Sequence, residues 1–126
     1  MEKIYHIGVE ATLDVIGGKW KPIILCHLGN GPIRTGELRR RIPNIAQKTL
    51  TQQLRELEED EIIIRKVYNQ VPPKVEYYLT EEGKTLREVL IAMSIWGEKR
   101  VRKLQSNMQP VNLLNNNHNG YLKFDD

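Results

Sequence analysis

Cysteine occurs once in this chain, at Cys26, and a lone thiol closes no internal disulfide, so nothing in the sequence calls for an oxidising compartment. No apolar core of a secretory signal is visible, and no apolar run is long enough to span a bilayer. A cytoplasmic protein without a membrane role is expected. Internal repeats are absent. So are the residue patterns of catalysis: there is no Ser/His/Asp or Cys/His arrangement, no glycine-rich phosphate loop and no metal-spaced cluster. His6, His27 and His118 keep no metal-ligand spacing with one another or with Cys26. Glu10 and Asp14 do share a helix face at i, i+4, but a capped surface helix accounts for them. An enzyme, a metal site and a cofactor are therefore not expected. What remains is a chain of 126 residues, 40% hydrophobic and 28% charged, enough for one domain with a modest core. A net charge of +3 permits an anionic partner without requiring one.

The most informative stretch is Pro43–Glu61, PNIAQKTLTQQLRELEEDE. Leu50, Leu54 and Leu57 recur at the i, i+4, i+7 spacing of one helix face. The opposite face collects Lys48, Gln52 and Arg55, flanked by Thr49 and Thr51. Charge is also sorted along the axis: Gln47–Arg55 holds two cations and no acid, and Glu56–Glu61 holds five acids. That order opposes the helix macrodipole, which favours acids first and cations last. It suits a helix whose N-terminal half meets a polyanion. A plain solvated surface helix is the alternative for this stretch taken alone.

The flanking chain supplies the context. Val9–Gly18 reads as a short helix, with Val9, Leu13 and Ile16 on one side and the Gly17–Gly18 pair ending it. Lys19-Trp20-Lys21 reads as a connector, with Trp20 a core plug. Pro22 suits the first position of a helix over Pro22–Leu28, apolar nearly all round and expected to be the most buried. Cys26, mid-helix among aliphatics, reads as a small buried hydrophobe. Gly29–Pro32 is a loop. RTGELRRRI then suggests a helix starting near Thr35 with Leu38 and Ile42 inward, and several of Arg34, Arg39, Arg40 and Arg41 must be displayed. Pro43-Asn44 breaks it before the next helix begins. Helix, short turn and second helix with a polar outward face form a helix-turn-helix.

After Glu61 the period becomes extended. Ile62–Tyr68 and Val75–Leu79 read as two strands about a loop over Asn69–Lys74, a hairpin or wing. Arg65, Lys66, Gln70 and Lys74 on it could meet phosphates or a minor groove. Thr80 reads as the N-cap of a last, long helix, with Glu81 and Glu82 in its first turn. Its stripe of Leu86, Val89, Leu90, Met93, Trp96, Val101 and Leu104 exceeds what a small domain can cover and is a candidate dimer surface. Gly97 is a weak point. From Ser106 six asparagines and interspersed apolar residues mark a tail over 106–126, set apart from a domain over 1–105 and able to dock on the body or on a partner. The fold class is α+β, mostly helical: a winged helix-turn-helix with an N-terminal helix and a long C-terminal dimerisation helix.

Three runs carry a resemblance: VEATLDVIGGKWKPIIL (Val9–Leu25), ELRRRIPNIAQKTLTQQLRELEEDEII (Glu37–Ile63) and VYNQVPPKVEYYLTEEGKTL (Val67–Leu86), joined by IWGEKR (Ile95–Arg100). On these the chain resembles the HxlR-type regulators, small bacterial winged-helix proteins related to the MarR group. The resemblance implies a homodimeric DNA-binding regulator that dimerises through its N-terminal segment and C-terminal helix. Two departures stand out. Members commonly carry a cysteine just before the VEATL-like run, which some use to sense electrophiles or oxidants; here His6-Ile7-Gly8-Val9 holds none, so sensing of that kind is not expected. The family's usual Ser or Thr N-cap is Ala46 here, a loss of typically ~1 kcal/mol that Asn44, with Gln47 three residues on, could offset.

On this basis Arg34, Arg39, Arg40, Arg65, Lys66, Gln70 and Lys74 are candidates for phosphate and wing contacts, which position the protein without reading sequence. Gln47, Lys48, Thr49, Thr51, Gln52 and Arg55 are candidates for base edges. A symmetric dimer on an inverted-repeat operator, repressing by occlusion, is the simplest expectation, with activation also open. The rival is a winged-helix protein–protein interaction module that binds no DNA, and the basic helix face and wing count against it. No polar constellation marks an effector pocket.

Overall fold

The computed structural model describes residues 1–114 and 118–124; Asn115–Asn117 and Asp125–Asp126 of the Asn-rich tail lie outside the described residues. The first helix, α1, spans Gly8–Ile16. The Glu10 carboxylate reaches back to accept from the amides of His6 at 2.9 Å and Ile7 at 2.8 Å, so orphan donors of the first turn and its approach are satisfied. Asp14 binds the N-terminal arm, accepting from Tyr5 Oη at 2.6 Å and pairing with Lys3. Of the three side chains expected on one inner side, only Ile16 is buried; Val9 and Leu13 are exposed.

Helix α2 runs Trp20–Leu28, two residues earlier than Pro22 suggested. Pro22 is its third residue, where the missing N–H still costs nothing because first-turn amides have no intrahelical partner. The added turn packs Trp20 against the core and buries Lys21. Ile24, Leu25 and Leu28 are fully buried, so α2 is the central helix of the core, as its all-round apolar composition indicated.

Strand β1, Ile33–Arg34, leads into α3, Thr35–Arg41, whose Leu38 and Ile42 are both buried. Two residues show no period, and β1 is absent from the sequence-based expectation. Asn44 adopts a left-handed backbone (φ 68°), which Asn tolerates, and does not cap the next helix. The N-cap of α4, Gln47–Glu59, is Ala46, with no side-chain capping bond. Leu50, Leu54 and Leu57 are fully buried, as their spacing requires.

Strands β2, Ile63–Tyr68, and β3, Lys74–Leu79, form the wing, antiparallel from Ile63↔Leu79 to Tyr68↔Lys74. Ile33↔Tyr77 and Arg34↔Glu76 add β1 on the other side of β3, giving the order β1-β3-β2. The long helix expected from Thr80 is divided. Thr80 caps α5, Glu81–Lys84, by accepting from the Gly83 amide at 2.9 Å. After Thr85 and Leu86 the chain restarts as α6, Arg87–Ser106, unbroken through Gly97. At 20 residues α6 is roughly 30 Å long.

The described part of the Asn-rich tail returns to the body. Helix α7, Asn119–Leu122, packs on α2 and α6. Tyr121 donates its hydroxyl to the Pro22 carbonyl at 2.6 Å, and Phe124 is 1% exposed within the same core as Leu25 and Leu28. The composition break at residue 106 is therefore no boundary of the core. Among the described residues no helix is long and apolar enough to cross a membrane.

Candidate nucleic-acid interface

Burying Leu50, Leu54 and Leu57 turns the opposite face of α4 outward, and Gln47, Lys48, Thr51, Gln52 and Arg55 are all exposed there. Thr49 is half-buried at the edge of this face. Among the described residues Lys48 and Arg55 pair with no acid. Gln47 Nε2 donates to Thr51 Oγ1 at 3.2 Å, and Gln52 Nε2 donates to Glu56 Oε2 at 3.3 Å. No acid lies in the first turn of α4, so the positive end of its dipole is uncompensated.

The wing stands beside this face. A cleft of about 370 Å³ is lined by Thr51, Arg55, Glu58, Arg65 and Tyr77, which brings the α4 guanidinium and a wing guanidinium to one opening. Lys66 and Lys74 hold their ammonium groups 4.9 and 4.5 Å from the ring centre of Tyr68, one on each strand of the hairpin. Gln70 is exposed in the loop between them. Lys74 is half-buried and lies 3.5 Å from Glu76.

The cations of α3 divide. Arg39 is exposed without an acid among the described residues, whereas Arg40 and Arg41 both bind Glu37, at 2.5 and 3.0 Å. Arg40 and then Arg41 hold the Glu37 carboxyl below the usual carboxylate range. Arg34 projects from β1 into a cleft of about 510 Å³ that Arg40 and Arg41 also line. Glu58 lies at the Arg55–Arg65 opening and also, with Glu61, Arg65, Glu81 and Glu82, lines a neighbouring cleft of about 550 Å³.

The apolar candidates on α6 also divide. Met93 is 48% and Trp96 68% exposed, while Val101 and Leu104 are half-buried. Leu90 is 1% exposed and belongs to the core of its own chain, which corrects its place among surface residues; Leu86 likewise packs against that core. Val89 on α6 and Val9 and Leu13 on α1 are exposed apolar residues.

The pair that braces α4 has no signature in the sequence. Lys21 on α2 is buried, and its Nζ lies 3.2 Å from Glu56 Oε1. In the sequence Lys21 is only part of a connector; its burial appears in the assembled α2–α4 interface. Among the described residues no group of three or more His, Cys, Asp and Glu could hold a metal ion.

A helix-turn-helix braced by a third helix, with a basic outward face and an adjoining β-wing, defines a winged-helix DNA-binding protein. The HxlR-like helix-turn-helix family description matches residues 15–105. The HTH-type transcriptional regulator YtcD of Bacillus subtilis (strain 168) is 59% identical over 103 residues, 82% of each chain. YdeP of the same organism, also an HTH-type transcriptional regulator, is 57% identical over 101 residues, covering 78% of this chain and 79% of that one. Among solved structures, the redox regulator HypR in its reduced form has a TM-score of 0.75 at 55% identity, over 79% of this chain and 99% of that one. A MarR-family regulator from Enterococcus faecalis V583 has a TM-score of 0.70 at 38% identity, over 84% and 96%. The chain belongs to the HxlR-like helix-turn-helix family and is a DNA-binding transcriptional regulator.

Proposed function

We propose that this regulator acts in the cytoplasm as a homodimer on an inverted-repeat operator and represses by occluding a promoter. The exposed face of α4 carries this account: Gln47, Lys48, Thr51, Gln52 and Arg55 point away from a fully buried leucine stripe, beside the cationic wing. In the major groove Gln47, Lys48, Thr51, Gln52 and Arg55, with Thr49 at their edge, meet base edges. Arg34, Arg39, Arg65, Lys66 and Gln70 contact phosphates, sugars or the adjoining minor groove. Arg40 and Lys74 contribute less net charge there, because Glu37 and Glu76 already offset them.

Met93 and Trp96 of α6, with Val89 and with Val9 and Leu13 of α1, supply exposed apolar surface suited to a second copy. Val101 and Leu104 extend it. Two-fold symmetry would set the two α4 helices about one DNA turn apart, ~34–36 Å, and the second site would raise affinity by avidity.

Fluorescence anisotropy with labelled duplex from the region upstream of the protein's own gene, across a salt series, tests this. Binding tighter than to random duplex, falling steeply with salt and lost in Gln52→Ala/Arg55→Ala, is expected. No binding even at low salt would favour a protein–protein interaction module instead. Sedimentation equilibrium should show a dimer that Trp96→Glu dissociates, and a monomeric wild type would contradict the homodimer.

A further inference from the structure

Glu56 is the one acid of the run Glu56–Glu61 that is turned toward the core, and its two oxygens engage two different side chains. Oε1 lies 3.2 Å from Lys21 Nζ, on a side chain only 8% exposed. Oε2 accepts from Nε2 of Gln52, one turn earlier on the DNA-facing surface, at 3.3 Å. An ionised carboxylate accepts and cannot donate, so the atom of Gln52 that faces it is the amide nitrogen. The carboxylate is itself anchored, since leaving Lys21 would strand a buried ammonium.

The consequence lies in what Gln52 has left to offer. One N–H is committed to Glu56. The other N–H and Oε1 remain, one donor beside one acceptor. In the major groove adenine presents the matching pair, an N7 acceptor and an N6 donor, whereas guanine presents two acceptors, N7 and O6. We infer that Lys21 and Glu56 are positioning residues that fix the Gln52 amide to read adenine in each half-site. This rests on the proposal that the α4 face reads bases.

The fixed orientation also says what reverses it. In Glu56→Gln the new amide oxygen turns to the Lys21 ammonium and its NH₂ turns to Gln52. Gln52 must then flip to accept through Oε1, and its own NH₂, a double donor, points outward. That arrangement matches guanine.

Selection of binding sites from a random duplex library, with the full chain, tests the inference. Wild type should select a motif with adenine favoured by about tenfold at one position per half-site. Gln52→Ala should abolish preference at that position alone. Lys21→Met/Glu56→Leu, which removes both charges and keeps apolar volume, should reduce the same preference at least about fivefold and leave the other positions unchanged. Glu56→Gln should move the preference to guanine. A merely structural role would weaken all positions together. The inference is overturned if the Gln52-dependent position is not adenine, if Gln52→Ala changes no position, or if Lys21→Met/Glu56→Leu, folded by circular dichroism, keeps the adenine preference. Should that double variant fail to fold, an unchanged adenine preference in Glu56→Gln overturns it. A wild type that selects no motif at all would instead remove the base-reading role of α4 itself.

Discussion

Lys21 Nζ and Glu56 Oε1 lie 3.2 Å apart across the α2–α4 interface, joining a side chain 8% exposed to one 37% exposed. This contact ties α4 to the central helix of the core. Removing one partner leaves the other charged. A fully buried pair broken this way costs several kcal/mol, and the partial exposure of Glu56 reduces that, so Glu56→Ala is expected to lose about 1–3 kcal/mol. Lys21→Met/Glu56→Leu should recover stability to within about 1 kcal/mol of wild type. Urea unfolding of the three proteins measures both; a Glu56→Ala variant as stable as wild type would show that the contact is energetically idle.

The C-terminal segment should behave as part of the core. The rings of Tyr121 and Phe124 meet edge-to-face at 5.8 Å, and Gly120 lies so close to α2 that a Cβ there would collide with the Cys26 carbonyl oxygen. Phe124→Ala should cost about 3–5 kcal/mol, the range for emptying a buried aromatic site. Gly120→Ala should also destabilise, because backbone and not a flexible side chain is in the way. Thermal unfolding checks both, and an unchanged midpoint in Phe124→Ala would mean that the segment is not docked in solution.

Cys26 should be slow to react. Burial pushes its thiol up from the ordinary value, and the Gly120 and Tyr121 amides that bond it lower it by less. The thiol is thus held protonated beneath α7, and the thiolate is the reactive form. Iodoacetamide should modify the native chain at least about tenfold more slowly than the unfolded chain. Deleting residues 107–126 should speed modification if the shortened chain remains folded by circular dichroism. Fast modification of the native chain would contradict this placement.

His27 gives stability a defined pH dependence. Burial, and then the charge of Arg41, lower it below its ordinary value of 6.5. The unfolded chain therefore takes the proton first as pH falls through the ordinary value. Stability should be full above that value, fall as pH drops through it, and level off below the lowered folded value. His27→Gln should show a smaller loss in urea midpoint between about pH 7.5 and about pH 5.5 than wild type. An equal loss in both proteins would assign the effect to other groups.

What could be read from the sequence was what has a period. The α4 leucine stripe is a repeating pattern, as is the alternation toward the end of β3, and the polar face opposite the leucines follows from the stripe geometrically. The unread features are set by tertiary contact. Strand β1 is too short to show alternation and exists because β3 offers it an edge. Lys21 is buried only because Glu56 arrives from another helix. Asn44, which composition offered as a cap, instead supplies the left-handed turn residue. Composition left open whether the tail docks on the body or on a partner; Gly120, Tyr121 and Phe124 seat it on α2. The split of α5 from α6 falls at Leu86, where the apolar stripe begins, so the stripe carries no sign of it.

Hydroxyl-radical footprinting on a duplex selected by the protein tests most directly whether two α4 helices read one operator. Two protected patches per strand, related by a dyad and about one helical turn (~10 base pairs) apart, are predicted, with both lost in Gln52→Ala/Arg55→Ala. A single protected patch, or an unchanged footprint in that variant, would contradict the account.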